Sequence, residues 1–305
     1  MDEVEVRELR YFRAVAEELN FSRAAVRLGM AQPPLSRAIR LLERRLRVQL
    51  FQRTSRQVTL TPAGHVLLVE SAKALDAVAA AVRHTRRAAE GAPALIVTTK
   101  PGIAPELLRR IVDGYAAEVE VVVSGFGEQA AMVRDGRADV ALLGCPGDHD
   151  GLEVEVIFTE ARIAALPPSH ELAARPALTC ADLAGLPTPS WARASAAERA
   201  YWAGQDVGGG PVRSGPRVED ISQLLEIVAL GQAVALVPES VVARYDRTDI
   251  VYRPVLDATP HSLALAWPEG GRDARTARLV RTAIELSAVD RPAGSAFGQR
   301  VPSTS

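Results

Sequence analysis

Two cysteines, two lysines, three methionines and five histidines are all that 305 residues contain of those types. Cys145 and Cys180 stand far apart with no C-x-x-C spacing, which excludes a disulfide framework and fits a reducing, cytoplasmic location. His65, His84, His149, His170 and His261 show no metal-ligand spacing, so no metal and no cofactor are expected. Ser190 sits in no G-x-S-x-G elbow, so there is no hydrolase signal. No long apolar run exists. The best candidate, 224–238, is broken by Glu226, Gly231 and Gln232, which argues against a membrane span. The opening MDEVEVRELR is acidic and lacks the apolar core of a signal peptide.

What is abundant is arginine, and it is unevenly placed. The formal charge of −1 conceals a split: residues 1–91 hold sixteen basic and ten acidic residues, whereas residues 92–305 hold twenty basic against 27 acidic. A basic head on an acidic body points to nucleic acid for the head alone. Since 34 of the 36 basic residues are Arg, the arginine preference itself reads as coding bias, and the clustering carries the argument. Between Phe21 and Leu60 stand nine arginines, at 23, 27, 37, 40, 44, 45, 47, 53 and 56, against the single acid Glu43. A solvated helical hairpin would mix signs, so this block reads as a phosphate-binding surface.

The same stretch has the grammar of two helices and a turn. Ser22 is the expected N-cap of a helix over 23–28, and Gly29 supplies the left-handed residue after it. Pro33 and Pro34 fit only the first turn of a second helix. Leu35, Ile39, Leu42 and Leu46 then form one buried stripe, with Gln32, Ser36, Arg37 and Arg40 off it near the helix start. This is the pattern of a helix-turn-helix and its recognition helix, since Arg forks onto guanine, Gln brackets adenine and Ser serves base or phosphate. A preceding helix over 7–19 would turn Leu9, Phe12, Val15, Ala16 and Leu19 inward. After it all, Val48, Leu50, Val58 and Leu60 suggest two extended runs around Arg53–Thr54–Ser55–Arg56, a β-wing whose Arg53 and Arg56 would reach phosphate or the minor groove.

Thr61-Pro62 opens a long helix to about Glu90, with a narrow seam of Val66, Val69, Leu75, Val78 and Val82 that calls for a second copy. Gly91, Ala92 and Pro93 break the chain. Strands and helices then alternate: ALIVTT, a helix over 103–117, VEVVV, a helix over 128–135, and DVALLG, which implies a parallel α/β sheet. A second such unit is expected from VEVIF and ARIAAL, through a helix over 218–230, AVALVP, a helix near 239–245 and LALAW. A last helix covers 274–288. Gly208–Gly210 with Pro211 reads as a loop, and residues 291–305 as a mobile tail.

The run from Glu8 to Gly64, with F-S-R-A-A, A-Q-P-P-L-S-R-A-I-R-L-L-E, L-F-Q-R-T and L-T-P-A-G in order, resembles the DNA-binding domain of LysR-type transcriptional regulators. The A-Q-P-P-L-S-R variant is similar to that of members controlling aromatic-compound catabolism. The resemblance implies an N-terminal winged helix-turn-helix over 1–62, a linker and dimerisation helix over 63–91, and an effector domain over 92–290. That domain would have two α/β lobes similar to periplasmic solute-binding proteins, lobe I over about 92–160 and 262–290, lobe II over about 161–261. It implies DNA contacts from Arg23, Gln32, Pro33, Pro34, Ser36, Arg37, Arg40, Arg53 and Arg56. It further implies a homodimer on an interrupted palindrome in double-stranded DNA, a tetramer of two dimers, and RNA polymerase as a further partner. G-Q-A-V-A-L-V-P is similar to the family's second-lobe strand signature. Where the family has Gly after the recognition helix, this chain has Arg47, which would carry strain in a left-handed conformation.

By the same resemblance an effector cleft would be lined by Thr98, Thr99 and Lys100, by Ser124, Gly125 and Phe126, and by Ser190 and Trp191. Strand ends in open α/β sheets bind ligands, and helix starts favour anions, so the effector expected there is a small carboxylate or phosphate. Two other readings stay open. The turn Gly125-Phe126-Gly127-Glu128-Gln129-Ala130 matches a dinucleotide fingerprint, as in a nucleotide-dependent oxidoreductase, although no acid closes the next strand. A redox-sensing regulator would use Cys145 and Cys180.

Overall fold

A computed structural model describes residues 4–289 apart from 55–56, 90–93, 103, 207–211, 246 and 272, and apart from the side chains of Cys145, Ala288 and Val289. Arg56, the break at Gly91–Pro93, the Gly208–Pro211 loop and the tail over 291–305 therefore lie outside the described residues. The chain divides into two compact units, Met1–Glu90 with Arg134–Gly136, and Gly91–Val133 with Arg137–Ser305.

In the first unit, α1 (Val6–Glu18), α2 (Phe21–Arg27) and α3 (Gln32–Leu46) close around Phe12, Val15, Ala24, Leu35, Ile39 and Leu42. Asn20, not Ser22, caps α2: its side-chain oxygen accepts from the amides of Ser22 (2.9 Å) and Arg23 (3.0 Å). Leu19 is exposed rather than inward, because the chain turns left-handed there to leave α1. Gly29 takes φ +65° at the turn, and Pro33 and Pro34 stand in the first turn of α3. Arg47 does adopt φ 55°, so the α3 C-terminus keeps its left-handed ending without glycine.

The wing is shorter than the apolar pattern implies: β1 (Phe51–Arg53) pairs antiparallel with β2 (Val58–Leu60), and Val48 stays outside it, exposed. Phe51 is buried between Phe12 and Phe21, at ring distances of 5.4 and 5.8 Å. Thr61 caps α4 (Pro62–Ala89): its Oγ1 accepts the Gly64 amide at 3.0 Å and donates to the Gln49 carbonyl at 2.7 Å. Gly64 lets helix and wing touch, for a Cβ there would stand 2.2 Å from the Leu50 carbonyl oxygen. Farther along α4, Val66, Val69 and Val82 are exposed.

The second unit begins as its strand–helix alternation requires. β3 (Leu95–Thr99), α5 (Pro105–Gly114), β4 (Val119–Val123), α6 (Gln129–Arg134) and β5 (Val140–Cys145) give parallel pairings of β3 with β4 and β5. The continuation differs from expectation. β6 (Leu152–Glu160), containing VEVIF, and β12 (His261–Pro268), containing LALAW, complete this first sheet antiparallel, in the order β4-β3-β5-β12-β6. α5 and α11 (Ala274–Val289) pack on it through Leu107, Leu108, Ile111, Leu279 and Ala283.

The second sheet is antiparallel, not a repeat of the first: β7 (Arg162–Leu166) lies between β10 (Ala235–Pro238) and β11 (Val251–Pro254). A separate parallel pair joins β8 (Pro187–Trp191) to β9 (Arg213–Val218). Three helices, α8 (Ala196–Trp202), α9 (Ile221–Ala229) and α10 (Glu239–Arg244), surround these strands, with α7 (Cys180–Leu183) a single turn. The two sheets are thus joined by two crossings, at Glu160–Arg162 and between β11 and β12.

Candidate DNA-reading face and effector site

In the first unit the arginine block separates into two sets. Arg23 is bonded to the Glu18 carboxylate at 3.1 Å, Arg27 to Glu17 at 2.7 Å and Arg45 to Glu8 at 2.8 Å. These acids come from α1, outside the stretch that seemed so one-sided. Arg53 was expected at the wing tip, but it lies in β1 against Glu43 (3.1 Å), its guanidinium 4.5 Å from the Phe21 ring centre. Glu43 is buried and also accepts from the amides of Leu50 (3.0 Å) and Phe51 (3.2 Å), so the lone acid pins the wing to α3 and draws Arg53 inward.

Arg37, Arg40, Arg44 and Arg47 have no carboxylate partner among the described residues. The first three follow Pro33 at helical spacing, on the face of α3 turned away from Leu35, Ile39 and Leu42. Gln32, Pro33, Arg37, Arg40 and Arg44 are exposed, and Pro34 is half-buried. Ser36 is buried instead of presented: its hydroxyl accepts from Arg40 Nη2 at 3.2 Å, and its carbonyl from Arg40 Nε at 3.3 Å. Arg40 is thereby held in one orientation. Arg44 was missing from the expected set, although its spacing from Arg37 and Arg40 was the available signal.

In the second unit the carboxyl edge of the first sheet gathers most of the expected cleft residues. Thr98 and Ser124 share a hydrogen bond of 2.9 Å, and the Gln129 amide donates to Ser124 Oγ (2.7 Å) and to the Gly125 carbonyl (2.7 Å). Thr98 is wholly buried and also reaches Met132 Sδ at 3.5 Å, so it braces this edge and does not line an opening. Thr99 is buried too, its carbonyl accepting from the Ser124 amide at 2.8 Å. Gln129, absent from the expected set, is the hub of this network.

Lys100 Nζ stands 4.3 Å from the centre of the Phe126 ring, and Phe126 stacks on Trp191 at 4.2 Å and 11°. Glu128 pairs with Arg193 at 3.1 Å beside that stack. Two elements of different sheets therefore meet here, β4's following turn and the end of β8. Ser190, paired in register with Arg217, is half-buried. Two residues invisible as site candidates in the sequence join them: Gly144, in β5, and His261, at the start of β12. A Cβ on Gly144 would lie 2.6 Å from His261 Cε1 and 3.7 Å from Lys100 Nζ.

The crossings are tied down by charge. Arg162, fully buried, donates to Asp206 at 2.7 and 3.0 Å, to the Thr259 carbonyl at 2.6 Å and to the Tyr201 carbonyl, and its guanidinium lies over the Tyr201 ring at 3.8 Å. Glu160 accepts from the Ser240 amide (2.6 Å) and hydroxyl (3.0 Å), and burial raises its carboxyl above the ordinary range despite those bonds. Both sides of the first crossing are thus anchored on the second lobe.

The two other readings can be set against the geometry. In the Gly125–Ala130 turn, Glu128 Oε2 accepts the Gly125 amide at 3.2 Å, so a carboxylate occupies the place where a pyrophosphate would sit, and the helix that follows has six residues. Cys180 is buried, and desolvation together with Asp257 pushes its thiol up to about 11, the opposite of a reactive thiolate. The Cys145 side chain lies outside the described residues. Among the described residues there is no group of metal-ligating side chains, and no helix is long and apolar enough to cross a membrane.

Comparison with known proteins agrees with this division. Residues 6–65 match the family of bacterial regulatory helix-turn-helix proteins, lysR family, and residues 94–287 match the LysR substrate binding domain. The chain is 33% identical over 293 residues to the HTH-type transcriptional regulator ShiR of Corynebacterium glutamicum, covering 90% of this chain and 96% of that one. It is 36% identical over 186 residues to the regulator AlsR of Bacillus subtilis, a match that spans 59% of this chain and 62% of AlsR. The full-length CbnR structure in complex with its target DNA aligns with a TM-score of 0.52 at 27% identity, over 93% of this chain and all of that one. With both halves matched, and a relative of the same architecture along nearly its whole length, the chain belongs to the LysR family of DNA-binding transcriptional regulators.

Proposed function

We propose that this regulator reads DNA with the outer face of α3 and is switched by a small anionic effector at the carboxyl edge of its five-stranded sheet. The observation that carries the DNA half is the separation of arginines: Arg37, Arg40 and Arg44 face outward with no acid to neutralise them, whereas Arg23, Arg27, Arg45 and Arg53 are each paired. Arg37 and Arg40, with Gln32, are assigned to base edges, and Arg44 to phosphate. Pro33 and Pro34 set the helix entry. Ser36 acts through Arg40. Arg23 and Arg53 are given no direct base contact, and Arg56 keeps its assignment to the wing tip.

The exposed valines of α4 suit pairing with the same helix of a second copy. Such a homodimer presents two recognition helices to two half-sites of an interrupted palindrome, and two dimers make the tetramer. CbnR, whose structure with its target DNA the chain resembles, supports the DNA-bound reading. The effector half rests on Lys100, Phe126 and Trp191, which bring a cation and two stacked rings to a strand-end site between two sheets. An effector switches the protein only if it binds one lobe arrangement better than the other. No catalytic role is assigned to any residue.

The test is a footprint of the purified protein on DNA upstream of its own gene, at two salt concentrations. Salt-sensitive protection of two half-sites is expected. Binding that ignores sequence, or protection unchanged when Arg37 and Arg40 are both replaced by alanine, would overturn the assignment of the reading face.

A further inference from the structure

The arginine stripe of α3 continues past the residues assigned to bases. An α-helix turns about 100° and rises about 1.5 Å per residue. On that geometry Arg37, Arg40, Arg44 and Arg47 fall within about 80° of one another, opposite Leu35, Ile39 and Leu42. Arg47 stands about 15 Å beyond Arg37 along the axis, more than the roughly 12 Å width of a major groove. With Arg37 at a base edge, Arg47 is level with the phosphates that border the groove.

The backbone at Arg47 is left-handed, with φ 55° and ψ 31°. This conformation strains a residue with a Cβ, whereas glycine adopts it freely. The helix end itself is closed by backbone: the Arg47 amide donates to the Arg44 carbonyl at 3.2 Å and the Val48 amide to the Glu43 carbonyl at 3.1 Å. Arg44 and Arg45 already supply positive charge to the last turn. Capping therefore has no use for the Arg47 side chain, which is exposed and has no hydrogen bond or ion pair among the described residues. A strained residue whose side chain does nothing for the fold points to a contact outside it. The surface there has the shape for one. Arg40, Glu43, Arg44, Arg47, Val48 and Gln49 line an open concavity of about 410 Å³. Its one acid, Glu43, is buried and engaged by the amides of Leu50 and Phe51 and by Arg53. Arg40 is turned back onto Ser36, so Arg44 and Arg47 set the sign of the concavity.

We propose that Arg47 is a DNA-binding residue, which together with Arg44 seats one backbone phosphate in this concavity and extends the contact of α3 beyond the bases it reads. The proposal rests on the reading face above and adds to it a residue and the group that residue holds. A phosphate carries no base identity, so the contact raises affinity for every sequence alike. It also sets stability against affinity at a single position: glycine there would serve the fold, and arginine serves the DNA.

The experiment measures the Kd of the full-length parent and its variants for two duplexes, the DNA upstream of the protein's own gene and a random sequence of equal length, between about 50 and 200 mM KCl. Arg47→Gly should lower the slope of log Kd against log salt by about 0.9 for each bound head, on both duplexes. The parent's advantage then shrinks about 3.5-fold per head across that salt range. The ratio of the two affinities should stay at the parent's value. Melting followed by circular dichroism should show the first unit more stable, by on the order of 3 °C, as the left-handed strain is relieved. Arg47→Lys should keep the parent's slope. Arg47→Asn, which tolerates the same backbone without the charge, should lose it as glycine does. Parent-like slopes for both Arg47→Gly and Arg47→Asn, beside weakened binding when Arg37 and Arg40 are both replaced by alanine, would overturn the phosphate seat and leave the reading face standing. Parent-like binding by that double variant as well would remove the reading face itself, and Arg47 with it.

Discussion

Replacing Glu43 by alanine sets charge counting against structure. On charge alone, removing the single acid between Phe21 and Leu60 makes that stretch more positive and should tighten its grip on DNA. The structure gives the opposite result. Glu43 is 6% exposed and holds the amides of Leu50 and Phe51 and the guanidinium of Arg53. Each buried N–H left without a partner costs about 1–3 kcal/mol. Arg53 retains 30% exposure and can rehydrate, so its share is limited to about 1 kcal/mol or less. The loss is then about 3–5 kcal/mol, out of a total stability of roughly 5–10 kcal/mol for a unit of this size. A melting temperature lower by on the order of 20 °C follows for this unit. The assay exploits the absence of tryptophan from the first unit: Trp191, Trp202 and Trp267 all lie in the second. Far-UV circular dichroism should show a new early transition that tryptophan fluorescence does not see. An unchanged melt accompanied by tighter DNA binding would refute the reasoning.

Three further outcomes are expected. Gly64→Ala gains about 1 kcal/mol of helix propensity but places a Cβ 2.2 Å from Leu50 O and 2.9 Å from Leu60 Cδ2, so a net loss of about 1–3 kcal/mol should appear in urea titration followed by circular dichroism. Arg37→Ala should weaken DNA binding by about 1–3 kcal/mol and relax specificity at one base pair, and Arg44→Ala should lower the salt slope by about one, whereas Arg23→Ala, already paired to Glu18, should move the slope less; equal slopes for Arg44→Ala and Arg23→Ala in a salt titration would contradict the sorting of the arginines. His261 has a folded pKa below its unfolded value, so its contribution to stability is complete above about pH 6.5 and is lost by about 1.4 kcal/mol per pH unit on acidification toward pH 3. His261→Gln should flatten that fall in urea unfolding read by tryptophan fluorescence, and parallel curves for parent and variant would contradict it.

The helix-turn-helix was legible because its determinants are local. Gly29, the two prolines of α3 and the stripe of Leu35, Ile39 and Leu42 specify a turn, a helix start and a buried face within a few residues of each other. The parallel start of the second unit was legible for the same reason, as strands and helices alternate at short range. The prolines at 187 and 189 hid β8 from any propensity argument, and only pairing with β9 makes a strand of it.

The amino-acid order by itself determined that a basic reading helix precedes an acidic α/β body, because helix periodicity and net charge are properties of neighbouring residues. Tertiary structure alone decided which arginines remain available. The acids that neutralise Arg23, Arg27 and Arg45 sit on α1, and Glu43 is brought to Arg53 by the folding of the wing. It also decided the carboxyl edge of the first sheet. β12 returns antiparallel beside β5 from a point more than a hundred residues later in the chain, and that return sets His261 against Gly144 and Lys100. Contacts of this range are paid for by the packing of two whole lobes, and no local pattern of residues records them.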